Sequence, residues 1–478
     1  MALAAATVWE VRPTVGADTN GGGFVTGASG TDWSQQNAAQ YALSNGVTNG
    51  TATIGTVSAS ADMVGNIVYV TGGTGSVVAD WYQIVSAIAG VSITVDRSTG
   101  LTAGTGVTLN IGGALATIAS VFATATASNV FWIKNTGNLT VSVALQPAFQ
   151  NNPSPMQFIG YGTTRGDTGR ATWTTSTNSI HLVNFQSGAF CYIFQNLVFS
   201  STAGTPGDGI RNNNTVIINV AIVNCKFSGF AYAVNGDYNV INYFDALMMV
   251  NCEVSGCANS GVVNSATTYL IGCYFHDNTT HGFFFDGPSN GRDSRLFATR
   301  CVFYNNGGRG VYLAYGSHTF TSLVNCDFVS NTNDGLEFNS GFDYPISVVN
   351  CIFASNGGYG INVINPTTYA ANLNYANAYF SNTSGAVSNA SMSSTTDVTL
   401  SASPFTAPAS ADFSLNSTAG GGTACKGAGY NSGTLFSAQT DGMDIGAVQS
   451  AGSGGGGGGT TTNYIVSKNV TQVLVEDY

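Results

Sequence analysis

The densest group of ionisable residues in this 478-residue chain comprises His276, Asp277, His281, Asp286, Arg292, Asp293, Arg295, Arg309, Asp334 and Glu337. Such residues on one outward strand surface can do two kinds of work on a polysaccharide. Two carboxylates flanking a glycosidic bond hydrolyse it, and acids beside basic groups take a proton from an acidified carbon. Asp334 and Glu337 are the candidate acid pair, and Phe284 and Tyr312 are candidate stacking platforms for a sugar ring. Asp334 and Glu337 stand three apart across a Gly corner, a spacing that does not by itself aim both carboxylates at one bond. The plainer reading is a solvated turn column of alternating charge, with aromatics packed against a neighbouring subunit. It is the preferred reading, and no residue is given a catalytic role. His181 and His318 stand alone in the sequence and read as structural or surface residues.

The elements that would position these residues come from a repeat. Cys225, Cys252, Cys273, Cys301, Cys326 and Cys351 each anchor the same phrase, at steps of 27, 21, 28, 25 and 25 residues. Strand side chains alternate, so each cysteine shares an inward face with the aromatic or Val two places later. Val223, Val250, Ile271, Val324 and Val349, two places earlier, are assigned to that same face. Asn278, Asn306, Asn331 and Asn356 follow five places after a cysteine, where an amide can bond the backbone of the next coil. Gly261, Gly282, Gly310, Gly335 and Gly360 follow nine places after, suited to a left-handed corner. A second strand then turns Phe283, Phe285, Val311, Leu313, Leu336, Phe338, Ile361 and Val363 inward. Coils of about 25 residues built from short strands describe an all-β fold, a right-handed parallel β-helix. In that register His281, Arg309, Asp334 and Tyr359 stack along one edge, eight places after their cysteines. Phe284, Tyr312, Glu337 and Asn362, eleven places after, form an adjoining outward column.

The cysteines read as a buried column of small hydrophobes. Their spacings match no zinc pattern, and nine cysteines in all is an odd number, pointing to a reducing compartment. Thirteen Lys and Arg against a net charge of −11 leave no basic stripe for nucleic acid. No apolar run approaches a membrane span, and the first residues lack the pattern of a signal peptide. No phosphate loop, His-metal spacing or calcium nonapeptide is present, so no cofactor or metal is implied. One place after cysteine, the outward slot holds Tyr274, Val302 and Ile352 beside Lys226, Glu253 and Asp327. Apolar residues in line on an outer face imply burial against another subunit.

Composition divides the chain. Residues 1–44 are a lead or attachment segment with one strand at 7–12. Residues 45–110 hold strand runs at 66–70, 81–84 and 91–95, a small β-rich domain. Residues 111–127 carry an amphipathic stripe of Leu115, Ile118 and Phe122, read as a helix capping the first coil. The β-helix spans 128–449. A Gly-rich linker at 450–459 leads to an apolar stretch at 460–478, read as a docking strand.

Several phrases resemble right-handed parallel β-helix proteins of tailed bacteriophages. Val8-Trp9-Glu10-Val11-Arg12-Pro13, the run 16–24 and Gly30-Thr31-Asp32-Trp33-Ser34-Gln35-Gln36 resemble their usual start. Asp62-Met63-Val64-Gly65-Asn66, Trp81-Tyr82-Gln83-Ile84 and Ile93-Thr94-Val95-Asp96-Arg97 resemble their N-terminal β-insertion. Gly112-Gly113-Ala114-Leu115-Ala116-Thr117 resembles the capping helix, and residues 159–167 an early coil. Asp412-Phe413-Ser414-Leu415 and Asp444-Ile445-Gly446-Ala447-Val448 resemble a closing coil. The resemblance implies a virion component, a homotrimeric tail spike, fibre or capsid decoration. Such a protein is assembled in host cytoplasm and displayed on the particle. Its partners would be itself, other virion proteins through the N-terminal region or C-terminal strand, and host surface glycan. The alternatives are a glycan-degrading tailspike, hydrolase or lyase, and a glycan-binding adhesin without turnover.

Overall fold

The computed structural model describes residues 3–55, 58–74, 77–99, 103–119, 125–126, 128–146, 155–185, 190–213, 218–236, 244–264, 266–286, 294–315, 319–339, 346–364, 373–389, 392–430 and 443–449. The chain divides into two compact units, one of Met1–Val141, Leu145–Thr174 and Gly188–Val198, the other of Ser142–Ala144, Thr175–Ser187 and Phe199–Tyr478.

In the first unit, Thr7–Val11 pairs antiparallel with Gly23–Val25 and parallel with Val130–Lys134, which pairs in turn with Met156–Tyr161. Phe131, Phe158 and Phe194 stack at 5.1 Å intervals along this ladder. The small β-rich domain is a closed six-stranded barrel from Tyr41–Thr48 to Gly104–Ile111. Ile54, Val68, Ile84, Ile93, Val107 and Leu109 fill it. Glu10, fully buried, receives Arg12 Nε at 2.8 Å, Arg165 Nη2 at 2.8 Å and the Tyr161 hydroxyl. Asp167 accepts the amides of Gly162, Thr163, Thr164 and Gly169, which hold its carboxyl well below the usual range.

The capping helix expected over 111–127 is absent from its described portion. Gly112 and Gly113 take positive φ, Leu115 bridges Val11 in parallel, and Asp18 accepts the amides of Ala116 and Thr117. Paired glycines in left-handed conformation end the barrel strand with a turn that a helix cannot continue through. Residues 120–124 and 127 lie outside the described residues.

The second unit is a parallel β-solenoid of three sheets. The first carries Ile218–Val223, Ala246–Val250, Thr267–Ile271, Ser294–Thr299, Thr319–Val324 and Ile346–Val349 in succession. The second runs from Lys226–Ser228 through Asp327–Val329 to Val398–Thr399. The third has nine strands, Val183–Phe185, Ile210–Asn212, Val234–Gly236, Val262–Asn264, Phe283–Asp286, Val311–Tyr315, Leu336–Phe338, Tyr359–Val363 and Gly385–Val387. All six repeat cysteines are at most 1 % exposed and none is in a disulfide. Phe275, Phe303, Phe328, Phe353 and Tyr379 stack beside them at 4.7–5.4 Å.

The asparagines five places after cysteine bond between coils, but to the next coil's asparagine side chain and to the preceding coil's backbone, as in Asn306 to Phe275 O and Asn331 to Phe303 O. Asn278 Nδ2 donates to Asn306 Oδ1, Asn306 to Asn331, and Asn331 to Asn356, at 2.9–3.0 Å, and each Oδ1 also accepts a backbone amide. Two other assignments are corrected. Val223, Ile271 and Val324 are half-buried outward residues, Val250 and Val349 share their face in register though both are buried, and the inward ones are the predecessors Ile222, Met249, Leu270, Leu323 and Val348. Asn224, Asn251, Asn325 and Asn350, just before the cysteines, take φ of 51–54°. That left-handed residue turns the corner between sheets and reverses the alternation, and Asn tolerates it. Gly282, Gly310, Gly335 and Gly360 are not left-handed. A Cβ on each would lie 2.7–2.8 Å from a carbonyl oxygen of the next coil, so they are glycine for closeness between coils.

The outward face of the second sheet is not free. Val302, Asp327 and Ile352 are fully buried under Leu400, Phe405, Phe413, Leu415, Ile445 and Ala447. The expectation that this apolar line is buried against another subunit is therefore corrected: the chain's own C-terminal segment covers it. The linker and docking strand at 450–478 lie outside the described residues.

Candidate functional site

The ten-residue ionisable group does not hold together. His276 and Asp277 belong to the second sheet, where His276 joins Glu253, Lys226 and Asp277 in an ion-pair cluster. Arg295 is exposed on the first sheet. Arg292, Asp293 and His318 lie outside the described residues, as does the side chain of Asp286.

The two columns read from the repeat do form, along the third sheet. Register pairs Phe284 with Tyr312, Tyr312 with Glu337 and Glu337 with Asn362. Backbone bonds from Gly261 to His281, Gly282 to Arg309, Gly310 to Asp334 and Gly335 to Tyr359 tie the corner column rung to rung. The Phe284 and Tyr312 rings stack at 5.4 Å, and the Arg309 guanidinium lies 4.5 Å from the Tyr312 centroid. His281 is 4.9 Å from Tyr312, and Asn339 donates to the Tyr312 hydroxyl at 2.9 Å.

The acid pair is placed differently from expectation. Asp334 and Glu337 are 6 % and 2 % exposed, too deep for an outward reacting pair. Asp334 accepts the Tyr359 amide at 2.6 Å and Asn362 Nδ2 at 3.1 Å. Glu337 accepts Arg309 Nε at 2.8 Å, and its Oε2 lies 3.4 Å from Asn362 Nδ2, the same nitrogen that donates to Asp334. Burial and Asp334 raise its carboxyl above the ordinary range, against the pull of Arg309. Carboxylates flanking a glycosidic bond stand about 5 Å or more apart with the sugar between them. Two that share one Asn362 amide between them leave no room for one.

Both columns also extend beyond the repeat cysteines. Asn184, Arg211, Asn235 and Val263 precede Phe284 in continuous register. Their corner partners, three places earlier, are His181, Asp208, Tyr232 and Ser260. His181 is thus no isolated residue. Its Nδ1 accepts the Asp208 amide at 2.9 Å, as His281 Nδ1 accepts that of Arg309 at 3.1 Å. Asp208 accepts Asn235 Nδ2 at 3.0 Å and lies 3.7 Å from Arg211. A cleft of about 580 Å³ opens here, lined by His181, Asp208, Arg211, Tyr232, Asn235 and Phe284 among others. Phe284 joins this cleft to the Tyr312 stack.

Counting from cysteine missed this half because the turn before the third sheet varies in length. The phrase itself was readable: Asp208-Gly209-Ile210-Arg211 and Tyr232-Ala233-Val234-Asn235 match Asp334-Gly335-Leu336-Glu337 and Tyr359-Gly360-Ile361-Asn362.

The family described as a right-handed beta helix region matches residues 240–403. The fold is a right-handed parallel β-helix. Among solved structures, the pectate lyase Pel9A is similar over 70 % of this chain and 91 % of its own, at 13 % identity and a TM-score of 0.51. The catalytic domain of a GH87 alpha-1,3-glucanase covers 76 % of this chain and 89 % of its own, at 10 % identity and a TM-score of 0.29. Tailspike protein 3 of bacteriophage CBA120 covers 59 % of this chain and 57 % of its own, at 13 % identity and a TM-score of 0.25. At 13 % identity the likeness to Pel9A is one of fold alone. No curated protein matches the chain.

Proposed function

We propose that this β-helix is a non-catalytic polysaccharide-contact protein displayed on a phage particle. One observation supports the contact role above the others: two adjacent columns run along eight strands of the third sheet and set rings, with Phe284 stacked on Tyr312, among hydrogen-bonding groups. Eight positions of one column, from Asn184 to Asn362, span seven rung steps, about 34 Å at ~4.8 Å each, with Arg211, Phe284, Tyr312 and Asn362 the half-exposed members. A pyranose unit advances a glycan by about one such step, so successive sugars can meet successive rungs. Aromatic faces suit the apolar face of a sugar, and amides and guanidinium groups suit its hydroxyls. The buried acid pair, sharing one amide donor, favours holding over cutting.

The particle role draws on the resemblance of the opening, barrel and closing phrases to phage β-helix proteins. Trimer formation and attachment through the N-terminal region or the 460–478 stretch belong to that same proposal. The experiment is incubation of purified protein with host envelope polysaccharide. Saturable retention without new reducing or unsaturated ends is the expected result. Steady release of oligosaccharides would replace this reading with the glycan-degrading one. Tyr312→Ala should weaken retention roughly five- to tenfold, the value of one aromatic platform.

A further inference from the structure

We infer that the third-sheet groove is built for an uncharged glycan and rejects uronate chains. The inference rests on the polysaccharide-contact reading and adds the substrate class. Every charge on the two columns is already answered. Arg211 has Asp208 at 3.7 Å, and Arg309 is bonded to Glu337 at 2.8 Å, with both carboxylates 2 % exposed behind their half-buried partners. Asp334 adds a third carboxyl group against these two guanidinium groups.

The histidines do not change the balance. His281 accepts a backbone amide at Nδ1, which requires that nitrogen to be unprotonated, and His181 is already held between Asp208 Oδ2, 3.2 Å from Nδ1, and Arg211 Nη1, 3.2 Å from Nε2. Burial and the neighbouring Arg309 also push the His281 imidazole down to about 4. A uronate carboxylate entering the groove would meet no uncompensated cation on either column, and a chain of net charge −11 beyond them. Two places instead suit hydroxyl groups. Glu337 Oε1 is buried with no partner among the described residues, and Asn184 Oδ1 at the opposite end is in the same condition. Both columns otherwise present amides, hydroxyls and rings, the set that recognises neutral sugars.

The test uses the full chain on an array of bacterial polysaccharides, neutral and uronate-bearing, read at about 50 mM and about 500 mM NaCl. Retention of neutral chains, with affinity changing less than about twofold between the two salts, is expected. Preferential retention of uronate chains, lost by about tenfold or more at high salt, would overturn the inference while leaving the contact reading in place. Retention of neither class would remove the contact reading itself. Asp208→Asn supplies a second measurement, because it exposes Arg211 without deleting a side chain. It should raise retention of uronate chains severalfold. A folded Asp208→Asn protein with unaltered preference would count against charge balance as the selecting device.

Discussion

Asp327 is the residue whose placement departs furthest from its chemistry. It sits at the outward slot of the second sheet, fully buried, with Oδ1 accepting the Ala447 amide at 3.0 Å and Oδ2 without a partner among the described residues. Burial raises its carboxyl well above the usual range. A raised folded value means that its contribution to stability is full below the unfolded value, about 3.9, and is lost as pH rises through the folded one. Asp327→Asn keeps an oxygen for Ala447 and removes the titration. The variant should be more stable than the wild type at pH 8, by about 1–3 kcal/mol, and match it near pH 4. Thermal melts at the two pH values check this, and an equal shift at both would rule out ionisation as the cause. That Asp327 would be covered could not be read from its neighbours. The residues that bury it lie some 70 to 120 positions downstream, and alternation gives only its side of the strand.

Elements were more legible than residues, because a coil is a local object repeated. The cysteine column, the stacked Phe ring next to it and the asparagine ladder follow from a period and the two-residue alternation of strands. What alternation cannot carry is a corner. One left-handed residue at Asn224, Asn251, Asn325 or Asn350 exchanges inside for outside, which is why the Val column was placed on the wrong face. The glycines show the same limit, since closeness between coils and left-handed geometry select the same residue. The two can be separated by substitution. Gly335→Ala puts a methyl group 2.8 Å from Gly360 O and 2.9 Å from Phe353 Cδ1, and should cost about 1–3 kcal/mol with backbone conformation intact. Asn331→Ala removes bonds to Phe303 O and Asn356 Oδ1, and the acceptor for the Asn306 amide and side chain, all buried. It should cost about 3 kcal/mol or more. Stacked repeats need not unfold in one step, so hydrogen exchange on the adjoining rungs is the measurement. Loss of protection confined to the coils on either side is expected; a uniform loss would contradict nearest-neighbour stacking.

For the molecule, the phrases that resembled a phage family turn out to be structural clasps. Glu10, Arg12, Tyr161 and Arg165 join the opening phrase to the early-coil phrase, and Asp412 to Leu415 with Asp444 to Val448 belong to the segment covering the second sheet. A resemblance carried by such residues speaks to how the chain folds, and none of them lines the groove. It also changes what assembly can rest on. The apolar line that first pointed to a subunit contact is filled in cis, so Phe413, packed 4.9 Å from Tyr304, holds a surface that would otherwise be open. Phe413→Ala should cost about 3–5 kcal/mol and promote indiscriminate association as that surface is released. Specific association would then have to come from elsewhere in the sequence. The stretch after the glycines, with Ile465, Val466, Val470, Val473, Leu474 and Val475 in fifteen residues, is apolar enough to add a strand to another chain. Deleting 452–478 should leave the melting temperature of the β-helix unchanged while reducing the sedimenting species toward the monomer or preventing incorporation into particles. If the truncated chain assembles as the full one does, the contact lies on the solenoid body, and the tail has no part in it.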